Sequence, residues 1–375
     1  MRKKIALMVL FILFCSVRAI AAPSRGVWVS CFTEKKVLYS RAAVLELVEF
    51  CRNSDINEIY IQLYRANQAY YDSAIADRTK YENILKSAGL DTIDLLLREA
   101  GKSDIKVFAW INVLSLSQNK EADIVKKFGT SVLTRDQYLR PSARTEAVNE
   151  SDKYYLRDDQ IFLEPADPRV REYIVSISNE IARRYPLLSG MHLDYIRYPY
   201  PVPYVPRSNF KRYGLTYGYG EMGIAGFKEK TGLDPLSMAD EKDNFLKWDN
   251  WKRDQLTILA KAISENVKAV SKDMLVSCAV MPSPENAYSL AFQDWSGWLE
   301  EGVIDYVVLM NYTRNNRFAA EVARSALAHR GKGRVLVGIG NFLMENDRAL
   351  LNEQEDLIED LGPDGVVFFS YDSLD

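Results

Sequence analysis

The sequence predicts a single (β/α)8 barrel of the TIM type. Eight short runs rich in β-branched and aromatic residues alternate with helical patterns, and long connections follow the third and fourth runs. Such alternation is typical of a parallel sheet, and eight repeats are typical of a closed barrel. The alternative is an open doubly wound sheet, but no GxGxxG motif follows the first strand. The predicted strands are 25–30, 58–64, 106–112, 190–196, 275–281, 305–312, 334–340 and 365–371.

Helical patterns separate the later strands, at 293–301, 317–329 and 347–360. One helix start is clearly marked, because Asp167 can cap a first turn in which Pro168 takes the first position. That helical pattern continues over 169–184. The sequence ends a few residues after the eighth strand, and we expect no eighth helix within it.

The composition is that of a globular protein. Of 375 residues, 47% are hydrophobic and 26% charged, which excludes a disordered or a disulfide-stapled chain. The formal net charge is −3. Nucleic-acid binding normally needs clustered Lys and Arg against phosphate, so we expect no nucleic-acid partner.

The N-terminus has the pattern of a secretory signal peptide. A cationic start (MRKK) precedes the apolar run 5–17, and the small residues Ala19 and Ala21 mark a cleavage site. A membrane anchor is the alternative, but the run is shorter than the ~20 residues of a spanning helix. We therefore expect a signal peptide at 1–21, a mature domain at 22–375, no stable membrane insertion after cleavage, and a periplasmic or extracellular location. Residues 1–21 contain four of the 48 basic residues and none of the 51 acidic ones, so the mature net charge is −7.

Cysteine and histidine are too sparse for a metal site. The mature cysteines, Cys31, Cys51 and Cys278, are scattered, and only two histidines, His192 and His329, are present. This pattern fits neither a disulfide framework nor a zinc site, and the cysteines are expected to be buried fillers. We expect no metal and no cofactor, so any acid-base chemistry must come from carboxylates.

The two long connections, 113–165 and 197–246, both follow strands. In a barrel the loops after strands build the catalytic face, so these inserts should form the walls of a cleft. The second insert begins RYPYPVPYVP. Its tyrosines present flat faces that suit stacking on sugar rings, although they can equally pack against one another.

The fourth strand carries a carboxylate that points into the barrel. Alternation places His192 and Asp194 on one face, and Met191, Leu193 and Tyr195 on the other. The apolar set suits the helix side, so Asp194 faces inward near the carboxyl end of its strand. A buried carboxylate must be paired or functional, and a structural ion pair with Arg197 is the alternative to catalysis. His192 is expected to be a hydrogen-bonded core histidine.

Polar and aromatic side chains end the neighbouring strands. By the same alternation Gln62, Tyr64, Trp110 and Asn112 face inward. Asn311 and Tyr312 end the sixth strand. These residues suit recognition of sugar hydroxyls, but they can equally fill the top layer of the barrel.

Several stretches together resemble one family. The run GMHLDYIRYP at 190–199 resembles the fourth-strand signature of the glycosyl hydrolase-like 10 domain family. Further resemblance, in the same order along the chain, lies at 25–28 (RGVW), 164–171 (EPADPRVR), 248–253 (WDNWKR), 305–312 (DYVVLMNY) and 365–371 (GVVFFSY). The resemblance implies a (β/α)8 barrel, export and glycoside hydrolysis, with some members resembling enzymes that trim peptidoglycan glycan strands. The implied partner is a polysaccharide substrate.

The resemblance points to Asp194 as the leading catalytic carboxylate, with Arg197 and Tyr198 shaping the site. Glycoside hydrolysis usually needs a second carboxylate, ~5 Å away for retention or ~6.5 to 9.5 Å away for inversion. Glu285 ranks first by its position after the fifth strand, ahead of Asp372, Glu34 and Asp249. The expected roles are nucleophile or base for Asp194 and acid for Glu285, with Asp372 also counted among the substrate-binding residues.

Two other classes of protein remain open at this point. The first is a carbohydrate-binding barrel that has lost its chemistry, because a fold does not guarantee a function. The second is a metal-dependent hydrolase such as a deacetylase, which needs ligand clusters that two histidines do not supply.

Overall fold

Eight parallel strands close into a barrel. The structure is a computed structural model that describes residues 23–32, 34–142, 160–200 and 216–374. The first barrel strand pairs with both the second and the last, which closes the ring. The barrel strands are β1 (Ser24–Val29), β2 (Glu58–Arg65), β4 (Lys106–Asn112), β7 (Gly190–Asp194), β8 (Leu275–Val280), β9 (Tyr306–Asn311), β10 (Arg334–Ile339) and β11 (Gly365–Phe368). All eight predicted strands and the predicted barrel are confirmed.

Helices surround the barrel and cover its outer face. The start predicted at Asp167 is confirmed, since its side chain accepts a hydrogen bond from the Arg169 amide and Pro168 opens the helix. Within the described residues only a short 3-10 turn, Tyr371–Ser373, follows β11. The helices are α1 (Arg41–Asn53), α2 (Thr79–Ala88), α3 (Thr92–Gly101), α4 (Asp123–Phe128), α5 (Pro168–Arg184), α6 (Glu221–Thr231), α7 (Lys242–Val270), α8 (Trp295–Glu300), α9 (Asn316–Leu327) and α10 (Arg348–Glu359).

The barrel wall separates two cores of different composition. Aliphatic side chains fill the layer between strands and helices, and Met191 and Leu193 of β7 belong to it. The barrel interior is largely aromatic and includes Trp28, Tyr60 and Phe108. The interior is therefore packed rather than hollow, as expected for an eight-stranded barrel.

A hydrogen-bonded histidine lies inside the aromatic core. Trp28 Nε1 donates to His192 Nε2 over 3.0 Å, and His192 Nδ1 lies 2.9 Å from Ser277 Oγ. Burial lowers the pKa of His192 to about 3, so the ring is neutral. Because Nε2 accepts, Nδ1 carries the proton and donates to Ser277. His192 is thus the satisfied core histidine that the sequence indicates, and it fixes the Trp28 ring.

The two inserts after β4 and β7 pack against each other. The first contains the antiparallel pair β5 (Ser115–Ser117) and β6 (Ile161–Phe162) together with α4, and the second contains α6. The fully buried Glu164 of the first insert accepts hydrogen bonds from Tyr198 Oη at 3.2 Å and the Gly220 amide at 3.3 Å. A Cβ at Gly220 would lie 2.5 Å from Glu164 Cγ, so the close approach requires glycine. This junction holds the start of the second insert beside the end of β7.

Some predictions concern residues outside the described part. The predicted signal peptide, 1–21, lies there, as do Pro201, Pro203, Tyr204 and Pro206 of the proline-rich stretch. None of the helices in the described part of the chain is both long and apolar enough to cross a membrane. As the sequence predicts, Cys31, Cys51 and Cys278 are buried, and none of them forms a disulfide.

One short strand in the described residues adds to the barrel sheet. It is β3 (Gln68–Ala69), which pairs antiparallel with the end of β2.

Candidate active site

A cavity of about 220 Å³ opens at the carboxyl ends of the barrel strands. Barrel enzymes place their chemistry at this end. A larger cavity of about 700 Å³ lies at the opposite end, beside the first residues of β1 and β11. We assign the site to the smaller cavity because Asp194 lines it. The lining residues are Trp28, Phe32, Gln62, Arg65, Trp110, Asn112, Asp194, Tyr195, Arg197, Tyr200, Ala279, Met310, Tyr312 and Phe369.

Asp194 ends β7 and is held by two hydrogen bonds. Trp110 Nε1 donates to its Oδ2 at 3.1 Å, and the Tyr195 amide donates to its Oδ1 at 2.7 Å. Tyr195 has a φ of 53°, a left-handed backbone conformation that is uncommon for a bulky residue and that accompanies this tight contact. The carboxylate is therefore fixed in position at the top of the barrel.

Burial raises the pKa of Asp194 to about 6. Loss of hydration is the largest cause, and the Tyr195 amide, the Arg197 charge and the Trp110 indole oppose it. Only 9% of the residue is exposed. A carboxyl group with a pKa near 6 can both hold and release a proton near neutral pH, which is what general acid-base catalysis requires.

Arg197 affects Asp194 by its charge and not by a direct ion pair. The ion pairs found among the described residues do not include one between these two side chains. Arg197 Nη1 instead donates to the Tyr198 carbonyl at 3.0 Å, and its guanidinium stacks 3.8 Å from the Tyr200 ring centre. The structural ion pair that the sequence left open is therefore not formed.

Two amides form a fixed pair beside Asp194, on the adjacent strands β4 and β2. Gln62 Nε2 donates to Asn112 Oδ1 at 3.0 Å, and Gln62 Oε1 accepts from the Cys31 amide at 3.3 Å. These bonds set the orientation of both amides, so Asn112 keeps its Nδ2 group as a donor. The structure places Gln62, Trp110 and Asn112 inside the barrel, as strand alternation predicts.

Aromatic rings form the floor and one side of the cavity. The Tyr312 and Phe369 rings stack with centres 5.3 Å apart, and Trp28 meets Phe369 edge-on at 5.7 Å. Such surfaces suit the apolar faces of sugar rings. Sequence reasoning named Tyr312 but missed Trp28 and Phe369. The same strand-end argument, applied to the first and eighth strands, would have found both.

Three predicted site residues do not reach the cavity. Tyr64 packs in the outer core, and its hydroxyl accepts from Asn67 Nδ2 at 2.9 Å. A register shift between Gln62 and Tyr64 breaks the alternation, so the prediction of an inward Tyr64 was wrong. Asn311 donates from Nδ2 to the Ala319 carbonyl at 2.9 Å on the helix side. Tyr198 is buried against Glu164, where it supports the insert and does not line the cavity.

Glu285 is also absent from the cavity. It lies in a short exposed helical turn, Pro284–Asn286, where Ser283 Oγ donates to its Oε2 at 3.0 Å. Backbone and Ser283 hydrogen bonds lower its pKa. The structure does not bring Glu285 to the cavity, and a lowered pKa does not suit a general acid, so the expected role of Glu285 as the acid stays a prediction that the geometry does not support. The raised pKa of Asp194 suits an acid, whereas the lowered pKa of Glu285 does not. The sequence had predicted the acid role for Glu285 and not for Asp194.

The other acids considered also lie elsewhere. Asp372 accepts from Ser370 Oγ at 3.2 Å in the turn after β11 and does not line the cavity. Asp249 pairs with Lys252 Nζ at 3.1 Å on α7, and Glu34 is exposed after β1. Among the described lining residues Asp194 is the only carboxylate. The described part of the chain also holds no group of three or more metal-ligating side chains.

Fold and site together define a (β/α)8 barrel with a buried acid and aromatic walls at its carboxyl face, an arrangement found in carbohydrate-active proteins. The chain belongs to the glycosyl hydrolase-like 10 family, whose model matches residues 23–335. The resemblance noted in the sequence is therefore confirmed.

Curated relatives are identical to this chain at about a fifth of the aligned residues. It is 22% identical over 288 residues to glycosyl hydrolase YngK of Bacillus subtilis, covering 72% of this chain and 48% of that protein. It is 20% identical over 332 residues to glycosyl hydrolase DigH of Escherichia coli K12, covering 80% of this chain and 67% of that protein. The chain thus spans about half the length of one relative and two thirds of the other.

Solved structures support the fold. A β-galactosidase from the psychrophilic Marinomonas ef1 superposes with a TM-score of 0.59 at 12% identity, covering 93% of this chain and 54% of that one. A β-galactosidase from Bacillus circulans sp. alkalophilus gives a TM-score of 0.57 at 14% identity, covering 93% and 50%. At these identities the comparison shows a shared barrel architecture.

Proposed function

We propose that this protein is a glycoside hydrolase that cleaves a bacterial polysaccharide, with peptidoglycan glycan strands as substrate. One observation carries the proposal: a fixed carboxyl group, Asp194, has a pKa near 6 in an aromatic-lined cavity at the catalytic end of the barrel. Family membership and the names of the relatives support hydrolysis of a glycosidic bond. The choice of peptidoglycan rests on the family resemblance and on the export expected from residues 1–21.

In this proposal Asp194 donates a proton to the leaving glycosidic oxygen. Its raised pKa keeps a fraction of the carboxyl groups protonated near neutral pH, and the developing alkoxide needs that proton. Trp110 and the Tyr195 amide hold the carboxyl in one orientation, so little reorganisation accompanies transfer. The Trp28 and Phe369 rings bind the sugar face, and Asn112 Nδ2 donates to a hydroxyl.

The two-carboxylate mechanism expected from the sequence remains part of the proposal. The described lining holds no second carboxylate, and Glu285 lies in an exposed turn outside it. Chemical rescue distinguishes the roles, because azide added to Asp194→Ala replaces whichever carboxylate is missing. If the enzyme is retaining, an azide product with the substrate's anomeric configuration assigns Asp194 as the acid/base, and the inverted configuration assigns it as the nucleophile.

The experiment compares three proteins on defined glycan strands. Wild type, Asp194→Asn and Glu285→Gln are incubated with purified strands, and released fragments are analysed by mass spectrometry. Glu285→Gln is the matched control, since it makes the same chemical change outside the cavity. The proposal expects fragments from wild type and the control and none from Asp194→Asn. Equal release by all three proteins contradicts it.

One observation favours a second candidate, a carbohydrate-binding barrel without catalysis. Among the described residues the cavity contains one carboxylate where hydrolysis usually uses two. This candidate expects strands to bind to wild type and Asp194→Asn alike, with no fragments from either. Periplasmic or extracellular location is part of both proposals and is tested by fractionating cells that express the full chain.

A further inference from the structure

The described lining of the cavity carries more positive than negative charge, although the protein as a whole is acidic. Three charged side chains of the described residues line it: Arg65, Arg197 and Asp194. The whole chain has a formal net charge of −3. Asp194 is neutral whenever it holds its proton, so the three described side chains together carry one or two positive charges. A positive cavity in an acidic protein favours an anionic ligand over a neutral one.

The two arginines differ in how far the protein already uses them. Arg197 donates to a backbone carbonyl and stacks on Tyr200. Arg65, the last residue of β2, is half-buried, and its one hydrogen bond to a described residue is a long contact of 3.5 Å from Nη2 to Ser117 Oγ. No carboxylate of the described residues lies within ion-pair distance of Arg65.

Arg65 is nevertheless held in a defined place. Its guanidinium lies 4.5 Å from the centre of the Phe32 ring, which is itself a lining residue and 55% exposed. A guanidinium above a ring face is attracted to the ring and keeps its N–H edges available for hydrogen bonds. These N–H groups can donate two parallel hydrogen bonds to one carboxylate.

We propose that Arg65 binds a carboxylate substituent of the glycan and thereby selects a sugar that carries an acid group, such as the lactyl ether of muramic acid. This inference rests on the proposed function, in which peptidoglycan glycan is the substrate. It adds a residue that determines specificity, distinct from Asp194, which acts on the glycosidic bond.

The test changes the charge on each side of the contact. Glycan strands with free carboxyl groups are compared with the same strands after those groups are reduced to alcohols. Wild type, Arg65→Gln, Arg65→Lys and the control Arg52→Gln are assayed on both. Arg52 lies on α1 at the other end of the barrel and lines the larger cavity.

We expect wild type to prefer the acidic strands by about tenfold in kcat/KM, as one charge-assisted pair would give. Arg65→Gln should bring that ratio close to one, with the loss falling on the acidic strands. Arg65→Lys should keep part of the preference, because lysine keeps the positive charge but cannot form the two parallel hydrogen bonds of a guanidinium. Arg52→Gln should behave as wild type. Raising the salt concentration should weaken the wild-type preference.

Two results overturn the inference. One is a wild type that does not discriminate between the strands. The other is Arg65→Gln losing both substrates equally, which would mean that Arg65 only supports the first insert through Ser117. If wild type cleaves neither strand, the proposed function fails, and the same comparison is made by quenching of tryptophan fluorescence on binding. A binding preference that Arg65→Gln removes then still supports the inference, and equal or absent binding of acidic strands refutes it.

Discussion

Trp110 Nε1 donates a hydrogen bond of 3.1 Å to Asp194 Oδ2, and this contact joins the ends of two neighbouring barrel strands. The indole N–H stabilises the ionised carboxylate, while burial of Asp194 favours the neutral form. Burial is the larger effect, so the pKa of Asp194 settles at about 6. The contact therefore positions the acid and limits how far its pKa rises.

The pH dependence of activity should reveal Asp194 as a proton donor. A donor must be protonated, so kcat/KM should fall as the pH rises through about 6. The measurement is a pH profile of kcat/KM on glycan strands between pH 4 and 9. A limb at this position that rises with pH would instead assign Asp194 as a base.

Replacing Trp110 with Phe should shift the fall of kcat/KM to higher pH. The change keeps an aromatic ring but removes the N–H that favours the ionised carboxylate, so the pKa of Asp194 should rise by roughly 0.5 to 1 unit. Trp298→Phe is the control, because Trp298 Nε1 donates to Thr257 Oγ1 at 2.8 Å on the outer side of the barrel. An identical pH profile for wild type and Trp110→Phe would show that the indole has no electrostatic effect on Asp194.

Asp194→Asn should stabilise the fold at neutral pH. The pKa of Asp194 is about 6 in the folded state against an ordinary value of 3.8, so the folded protein binds this proton more tightly than the unfolded chain. Between these values stability falls as pH rises, and the cost of ionisation is fully present above about pH 6. A pKa difference of about two units corresponds to at most about 3 kcal/mol in the free energy of unfolding. The variant gains this amount less about 1 kcal/mol, because the hydrogen bond from Trp110 to the side chain is weakened.

The measurement for this prediction is urea unfolding of wild type and Asp194→Asn. We expect the variant to be more stable by about 1 to 2 kcal/mol at pH 7.5, with the difference shrinking near pH 4. Comparing the two proteins at each pH cancels the contribution of His192 and other groups. A variant that is less stable at pH 7.5 would contradict the cost assigned to burial.

His192 should act as a positioning residue through Trp28. Replacing His192 with Leu leaves the Trp28 indole N–H buried without its acceptor, which should cost about 1 to 3 kcal/mol of stability. Because Trp28 lines the cavity, KM should rise more than kcat falls. Ser277→Ala is the comparison, since it removes the other partner of His192 and leaves the Trp28 contact intact. Equal effects of the two changes on KM would argue for a purely structural role.

The fold was accessible from the sequence because each barrel strand is a short local pattern. The strand alternation that placed Asp194, Gln62 and Asn112 inside depends only on a period of two residues. The position of Tyr64 was predicted wrongly because a register shift of β2 against β4 breaks the two-residue period. Nothing in the local sequence marks this shift.

The second carboxylate could not be predicted from strand-end position alone. Glu285 does follow a barrel strand, but Pro284 opens a helical turn that carries its side chain to the surface. Tyr198 adjoins the correct motif, yet its position is set by Glu164, which lies in the other insert. Both placements depend on contacts between distant segments, whereas the sequence pattern reports only on neighbours.

The role of Asp194 as the proton donor is tested most directly by comparing substrates with different leaving groups. Wild type and Asp194→Ala are assayed on an unactivated glycosidic bond and on an aryl glycoside whose phenol leaves without protonation. If Asp194 donates the proton, the variant should lose about 10²- to 10⁴-fold in kcat/KM on the unactivated bond and far less on the activated one. An equal loss on both substrates would contradict the role of Asp194 as the proton donor.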